Sequence, residues 1–93
     1  MKSTIYKYEL TERAGLLPVK GLSGILSVKL QNDVPVAYFL IDKDDKGEYK
    51  VPYRIVFTGE DIDDHDPGFD YSRYSFKDTL MRSDGIVMHV FFN

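Results

Sequence analysis

The sequence predicts an all-β protein: a small antiparallel β-sandwich or partly open barrel of roughly five to six strands, formed as one domain over residues 1–93. Three observations point there. Apolar and polar residues alternate with period two along most of the chain, the pattern of strands with one buried face. Turn-forming clusters, Asp44-Asp45-Lys46-Gly47 and Ser83-Asp84-Gly85, punctuate the alternating runs. No stretch sustains helical spacing: the nearest, Glu9 to Leu17, contains Gly15 and is followed by Pro18, which limit it to a turn.

Taken in order, Tyr6, Tyr8 and Leu10 share one face of the first strand, with Lys7 and Glu9 on the other. Leu26, Val28 and Leu30 then alternate with Ser27, Lys29 and Gln31. Val34 to Ile41, "VPVAYFLI", is apolar on both faces, as a central strand covered on both sides requires, with Pro35 at its start where a missing N–H costs least. The "DKDDKGEY" stretch reads as a hairpin loop. Beyond it Tyr49, Val51, Tyr53, Ile55 and Phe57 form one face and Lys50, Arg54 and Thr58 the other, while Pro52 argues for an edge or a bulge. Tyr74, Phe76 and Leu80 are expected on one side of the next strand, opposite Arg73, Ser75 and Lys77. Ile86 to Phe92, "IVMHVFF", closes the chain as a buried strand. A sheet of this kind has edges, so a homo-oligomer is expected, with the C-terminal or the first strand at the contact.

Composition narrows the function classes. A core this small depends on area-rich side chains, and seven tyrosines with six phenylalanines supply them. Without cysteine there is neither a disulfide framework nor a thiolate metal site. No apolar run approaches the roughly 20 residues that span a bilayer, and "MKSTIYKYEL" lacks the apolar core of a signal peptide; a cytoplasmic protein is the default. Net charge is −3, and twelve Lys and Arg are interspersed among fifteen Asp and Glu. That balance favours neither a DNA mimic nor a nucleic-acid binder, and no DNA or RNA polymer is expected as partner.

The most unusual stretch is "FTGEDIDDHDPGFDY", Phe57 to Tyr71, where Glu60, Asp61, Asp63, Asp64, Asp66 and Asp70 surround His65. Read as a calcium loop from Asp61, it has Asp66 where the invariant glycine belongs and Ser72 where the closing glutamate belongs. A start at Asp42 puts Gly47 correctly but sets Lys46 and Tyr53 at ligand positions. An irregular Ca²⁺ or Mg²⁺ site stays open. A zinc site would need about three His or carboxylate ligands in tetrahedral reach; His65 and His89 are the two histidines, and His89, set in an apolar strand, reads as a sheet residue satisfied by a neighbour. No nucleophile–base arrangement, phosphate loop or dinucleotide fingerprint is present, so no enzyme activity, catalytic residue or cofactor is expected. The ordinary reading of Asp61 to Asp66 is a solvated connection, with Asp66-Pro67-Gly68 as a tight turn. Tyr71-Ser72-Arg73-Tyr74 follows, two aromatics bracketing an arginine, a group suited to stacking on a planar ring and pairing with a phosphate. Arg54 and Thr58 are placed by the preceding strand to join it. Their ordinary reading is surface arginines and sheet-packing tyrosines.

The segments "IYKYEL", "ILSVKLQNDVPVAYFLID", "RIVFTGEDI" and "GIVMHVFFN" together resemble a family of small, mostly phage-encoded proteins known only as a domain of unknown function. Its pattern is an opening W/Y-K-Y-x-L strand, an I-L-S-V-x-x-Q-N-x-x-P strand pair, a G-T-G-type turn and a final H-V-F strand. The chain departs from it at Phe57-Thr58-Gly59 and in an Asp63 to Tyr74 segment longer and more acidic than typical. The resemblance implies a compact phage accessory protein in an infected bacterial host and supplies no catalytic residues. From that setting comes the leading expectation: a non-catalytic inhibitor of anti-phage defence that sequesters a cyclic nucleotide immune signal, with Arg54, Thr58, Tyr71, Arg73 and Tyr74 as ligand-binding residues. The alternatives are a protein-binding inhibitor that turns the acidic loop against a host defence enzyme, and an accessory structural protein.

Overall fold

The computed structural model describes residues 2–62 and 69–93, Tyr71 in its backbone. Asp63, Asp64, His65 and Asp66, and with them most of the acidic stretch, lie outside the described residues. Seven strands are present among those described: β1 (Ser3–Glu9), β2 (Ala14–Lys20), β3 (Leu22–Gln31), β4 (Val34–Asp42), β5 (Glu48–Phe57), β6 (Ser75–Met81) and β7 (Val87–Phe92). They form two antiparallel sheets, β1-β4-β3 and β2-β5-β7-β6, packed as a sandwich that does not close into a barrel. A 3-10 turn at Tyr71–Arg73 is the sole helical element among the described residues, and no helix is long and apolar enough to cross a membrane.

Alternation determines what fills the space between the sheets. Val28, Ala37, Phe39 and Ile41 from one sheet meet Val19, Val51, Tyr53, Ile55, Leu80, Met88, Val90 and Phe92 from the other. Phe39 is fully buried, with its ring 5.2 Å from Tyr8 and 6.1 Å from Phe92. The expected core face of β5 is realised at Val51, Tyr53 and Ile55, and β4 is the central strand of its sheet, as its two-sided apolarity predicts.

Several expectations are corrected. β2 is a strand despite Gly15 and Pro18. Gly15 is needed there because an added Cβ would stand 2.6 Å from Cε1 of the Tyr53 ring across the pair. Pro18 is accommodated because β2 is a sheet edge. In β3 a register shift between Ile25 and Ser27 turns Leu26 out to solvent, and Ile25 takes the inward place, so Leu26 does not share a face with Val28. A second shift, between Phe76 and Asp78, splits the face expected in β6: Leu80 is core, while Phe76 lies outside with its ring 5.9 Å from Phe91. The 43–47 loop joins β4 of one sheet to β5 of the other, so it is a connection between layers and not a hairpin.

β7 lies between β5 and β6, hydrogen-bonded on both sides, so the C-terminal strand has no edge to offer another subunit. β5 is likewise interior. Pro52 is tolerated because it faces Asn93 just past the end of β7: Asn93 N–H donates to the Pro52 carbonyl at 3.0 Å, and only the return bond is missing.

One side of the sandwich is sealed by side chains. The Val28 N–H donates to Asp78 Oδ2 at 3.0 Å, and Lys77 Nζ donates to the Ile25 carbonyl at 2.9 Å, so β6 satisfies the edge of β3 across the layers. The crossing from β2 to β3 turns on a single residue, Gly21, whose φ of 71° and 2.5 Å approach of a built Cβ to the Asp42 carbonyl exclude a side chain. Its N–H donates to the Gly47 carbonyl, and its carbonyl accepts from Asp42 N–H, both at 2.8 Å.

Candidate ligand-binding site

The residues expected to bind ligand lie on or beside the outer face of the four-stranded sheet. Arg54 rises from β5 with its guanidinium carbon 5.0 Å from the centroid of the Phe69 ring. Tyr74 meets the same ring edge-on, centroids 4.9 Å apart, and both belong to a small outer cluster with Val56 and Phe91. Arg54 and Tyr74 are therefore brought together, through a phenylalanine that the sequence reading did not single out. Arg73 projects from the 3-10 turn, its side chain 78 % exposed, and pairs with Asp70 at 3.2 Å. The Asp70 carboxyl is held below its usual range chiefly by the Ser72 hydroxyl that donates to it. Thr58 is turned to His89, Oγ1 to Nε2 at 2.7 Å, while His89 Nδ1 meets Thr79 Oγ1 at 3.0 Å. A neutral imidazole donates through one nitrogen and accepts through the other, so two threonine hydroxyls satisfy it. Tyr71 contributes its backbone to the turn. Arg54, Thr58, Arg73 and Tyr74 line neither of the two cavities described next.

The larger cavity, about 300 Å³, opens at the end of the sandwich where β1 leaves for β2 and β3 turns into β4. The β3–β4 turn is a tight one, with Asn32 and Asp33 both at positive φ. Leu10, Pro35, Ile55, Phe57 and Met88 make an apolar floor. The cations at its rim are already matched. Arg13 lies 4.3 Å from the Phe57 centroid and pairs with Glu60, whose carboxyl is held below its usual range by that bond first and by the Phe57 N–H second. Arg82 Nη2 donates to Asp84 Oδ2 at 2.5 Å.

The smaller cavity, about 200 Å³, sits at the opposite end, lined by Tyr6, Lys20, Ile41, Lys43, Asp45 and Lys46. Each comes from a strand end or connection that the fold brings together: mid-β1, the end of β2, the end of β4 and the 43–47 loop. The loop is well fixed. Asp45 accepts the Tyr49 hydroxyl at 2.7 Å and the Gly47 N–H at 2.8 Å, and those two bonds, the hydroxyl first, hold its carboxyl below the usual range. Lys43 N–H donates to the Lys2 carbonyl at 2.7 Å, and Lys46 Nζ reaches the Lys43 carbonyl at 3.4 Å. Lys20 and Lys43 have no carboxylate partner among the described residues, and Tyr6 is 49 % exposed beside them. Three lysines and a half-exposed tyrosine thus line one hollow, and the single acidic residue lining it, Asp45, is committed to its own loop. Sequence reasoning passed over these residues because they lie in three distant segments; the usable signal was that Lys20, Lys43 and Lys46 all flank turns.

Among the described residues no group of three or more His, Asp or Glu side chains converges as a metal site would require. What the fold and these hollows define is a small two-layer β-sandwich with a basic cleft at one end. The chain belongs to the family DUF7352, a domain of unknown function whose model matches residues 1–93. No curated protein and no solved structure matches it significantly.

Proposed function

We propose that the protein binds, without converting it, a small phosphate-bearing ligand with a planar ring, and that it does so in the Tyr6 cleft. One observation carries this reading: Lys20, Lys43 and Lys46 converge with an exposed tyrosine on a single hollow, whereas Arg13, Arg73 and Arg82 are each paired with a carboxylate. Lysine binds phosphate as a compact point charge. The Tyr6 ring offers a stacking face to a base. In the phage setting that the sequence resemblance implies, a cyclic nucleotide immune signal of the bacterial host is the first ligand to try, and holding it intact keeps it from its receptor. The Arg54–Phe69–Tyr74 face is the second place for such a ligand, less favoured because Arg73 and Tyr74 are already engaged.

A thermal-shift screen of cyclic di- and trinucleotides tests the proposal. The expected result is a rise in melting temperature for at least one of them, lost in Lys43→Ala, with the nucleotide recovered unchanged after heating. If no cyclic nucleotide in tenfold excess shifts the transition, the reading fails, and inhibition through binding of a host protein takes its place.

A further inference from the structure

Among the described residues the sandwich has four sheet edges, and two of them are obstructed to strand addition. On β3, the Val28 N–H and the Ile25 carbonyl are taken by Asp78 and Lys77 of β6, which lies beside it. β2 is blocked by Pro18. The Arg13 carbonyl accepts from Ile55 N–H at 2.7 Å, so odd residues of this strand face β5 and even ones face outward; the N–H that Pro18 lacks is therefore on the open edge. β1 carries no such obstruction. Lys43 N–H donates to the Lys2 carbonyl and Leu10 N–H to the Pro35 carbonyl, so even residues of β1 face β4. The N–H and C=O groups of Ser3, Ile5, Lys7 and Glu9 point off the sheet, and each of these residues has both to offer.

That edge is self-complementary. Antiparallel pairing of the whole strand with a second copy sets Ser3 against Glu9 of that copy, Ile5 against Lys7, and Tyr6 against Tyr6 on the two-fold axis. This register pairs outward-facing residues only with outward-facing residues, as a hydrogen-bonded antiparallel ladder requires, and it leaves the two Tyr6 residues as a non-hydrogen-bonded pair, in which side chains approach most closely. Ile5, 56 % exposed, gains cover from the partner. Lys7 already leans away to Gln31 Oε1 at 3.0 Å, so the two Lys7 ammonium groups need not meet across the axis.

We infer that β1 pairs with β1 of a second copy, and that the dimer joins the two Tyr6–lysine clefts into one site for a ligand with two phosphates and two planar rings. A single cleft of about 200 Å³ is smaller than the roughly 300–1,000 Å³ usual for a whole small-molecule ligand. Tyr6 points to the same side of β1 as Tyr8, which packs on core Phe39. In the dimer the two Tyr6 rings therefore stand side by side beneath the continuous sheet, each lining the cleft of its own copy. The ligand half of this inference rests on the function proposed above; the dimer half does not.

Light scattering of the ligand-free protein at micromolar concentration is expected to give twice the 10.7 kDa chain mass. Two variants test the register. Ile5→Lys puts like charges opposite Lys7 of the partner twice per dimer and is expected to weaken association about tenfold, whereas Ile5→Glu puts opposite charges there and is expected to preserve it. Circular dichroism of both should match the wild type. Titration with a cyclic dinucleotide is expected to saturate at one ligand per two chains, and Lys43→Ala to weaken binding about tenfold or more while leaving the dimer intact. A monomeric wild type, or equal weakening by both Ile5 variants, overturns the β1 dimer. Saturation at one ligand per chain overturns the joined site. Absence of binding with an intact dimer overturns the ligand reading and its joined site while supporting the β1 dimer.

Discussion

Asp78 Oδ2 accepts the Val28 N–H at 3.0 Å, so a side chain from one sheet completes the edge of the other. The residue reaches that position because the irregularity between Phe76 and Asp78 breaks the alternation of β6 and turns Lys77 and Asp78 together toward β3. Removing it leaves a part-buried N–H without its charged acceptor. Asp78→Ala is expected to destabilise the fold by about 1–3 kcal/mol, measured as a lower urea midpoint, and to expose β3 to strand addition, measured as faster aggregation near the melting temperature.

Gly15 is where β2 lets the Tyr53 ring pass. The Tyr53 hydroxyl accepts the Glu12 N–H at 3.2 Å, so the ring cannot swing aside without losing that bond. Gly15→Ala places a Cβ 2.6 Å from Cε1 and is expected to cost about 1–3 kcal/mol. Adding Tyr53→Phe in the same chain should not recover that loss, because the clash is with ring carbons; full recovery would contradict this packing.

Acid is expected to destabilise the protein in a defined window. Asp33, Asp45, Glu60, Asp70 and Asp84 are each held below their ordinary values, mainly by hydrogen bonds from Ser83, Tyr49, Arg13, Ser72 and Arg82 respectively. In acid the unfolded chain binds protons more readily than the folded one, so this stabilisation is complete above the ordinary carboxylate values and is lost as pH falls through the lower folded ones. Melting temperature should therefore drop progressively below about pH 4. At the other extreme, Tyr53 is pushed up mainly by burial and Tyr49 mainly by its bond to Asp45. Their contribution is present below the ordinary tyrosine value and is lost as pH rises above about 10.

Cation substitutions separate the two faces on which a ligand could sit. Lys43→Ala and Tyr6→Ala should each weaken nucleotide binding by about 1–3 kcal/mol, the range of a charged hydrogen bond or a base stack. Arg73→Ala removes an exposed side chain already paired with Asp70 and should leave affinity within about 0.5 kcal/mol of wild type. Calorimetry on the three variants, each checked for an unchanged melting temperature, decides between the Tyr6 cleft and the Arg54–Tyr74 face.

Period two made β5 legible in the sequence, because Tyr53 sits in an unbroken alternating run, and continuous apolar runs around Phe39 and Val90 marked β4 and β7 as covered strands. β2 was not legible: Gly15 and Pro18 are strand breakers on propensity, and only the Tyr53 ring and the open edge explain them. The faces of β3 and β6 were misread near Leu26 and Phe76, since a bulge shifts alternation by one residue with no local marker. The candidate site was less legible still. Arg54 and Tyr74 do share a cluster, but through Phe69, and the lysine cleft is assembled from chain segments whose proximity depends on the β2–β3 crossing at Gly21 being bonded to the β4–β5 connection at Asp42 and Gly47.

The claim that the Tyr6 cleft captures a phosphate-bearing ring is tested most directly by titrating ¹⁵N-labelled protein with a cyclic dinucleotide and following its amide resonances. Capture in the Tyr6 cleft predicts saturable shifts centred on Tyr6, Lys20, Lys43 and Lys46, with Arg54, Arg73 and Tyr74 unmoved. Shifts centred on Arg54, Arg73 and Tyr74, or no saturable shifts at all, would contradict it.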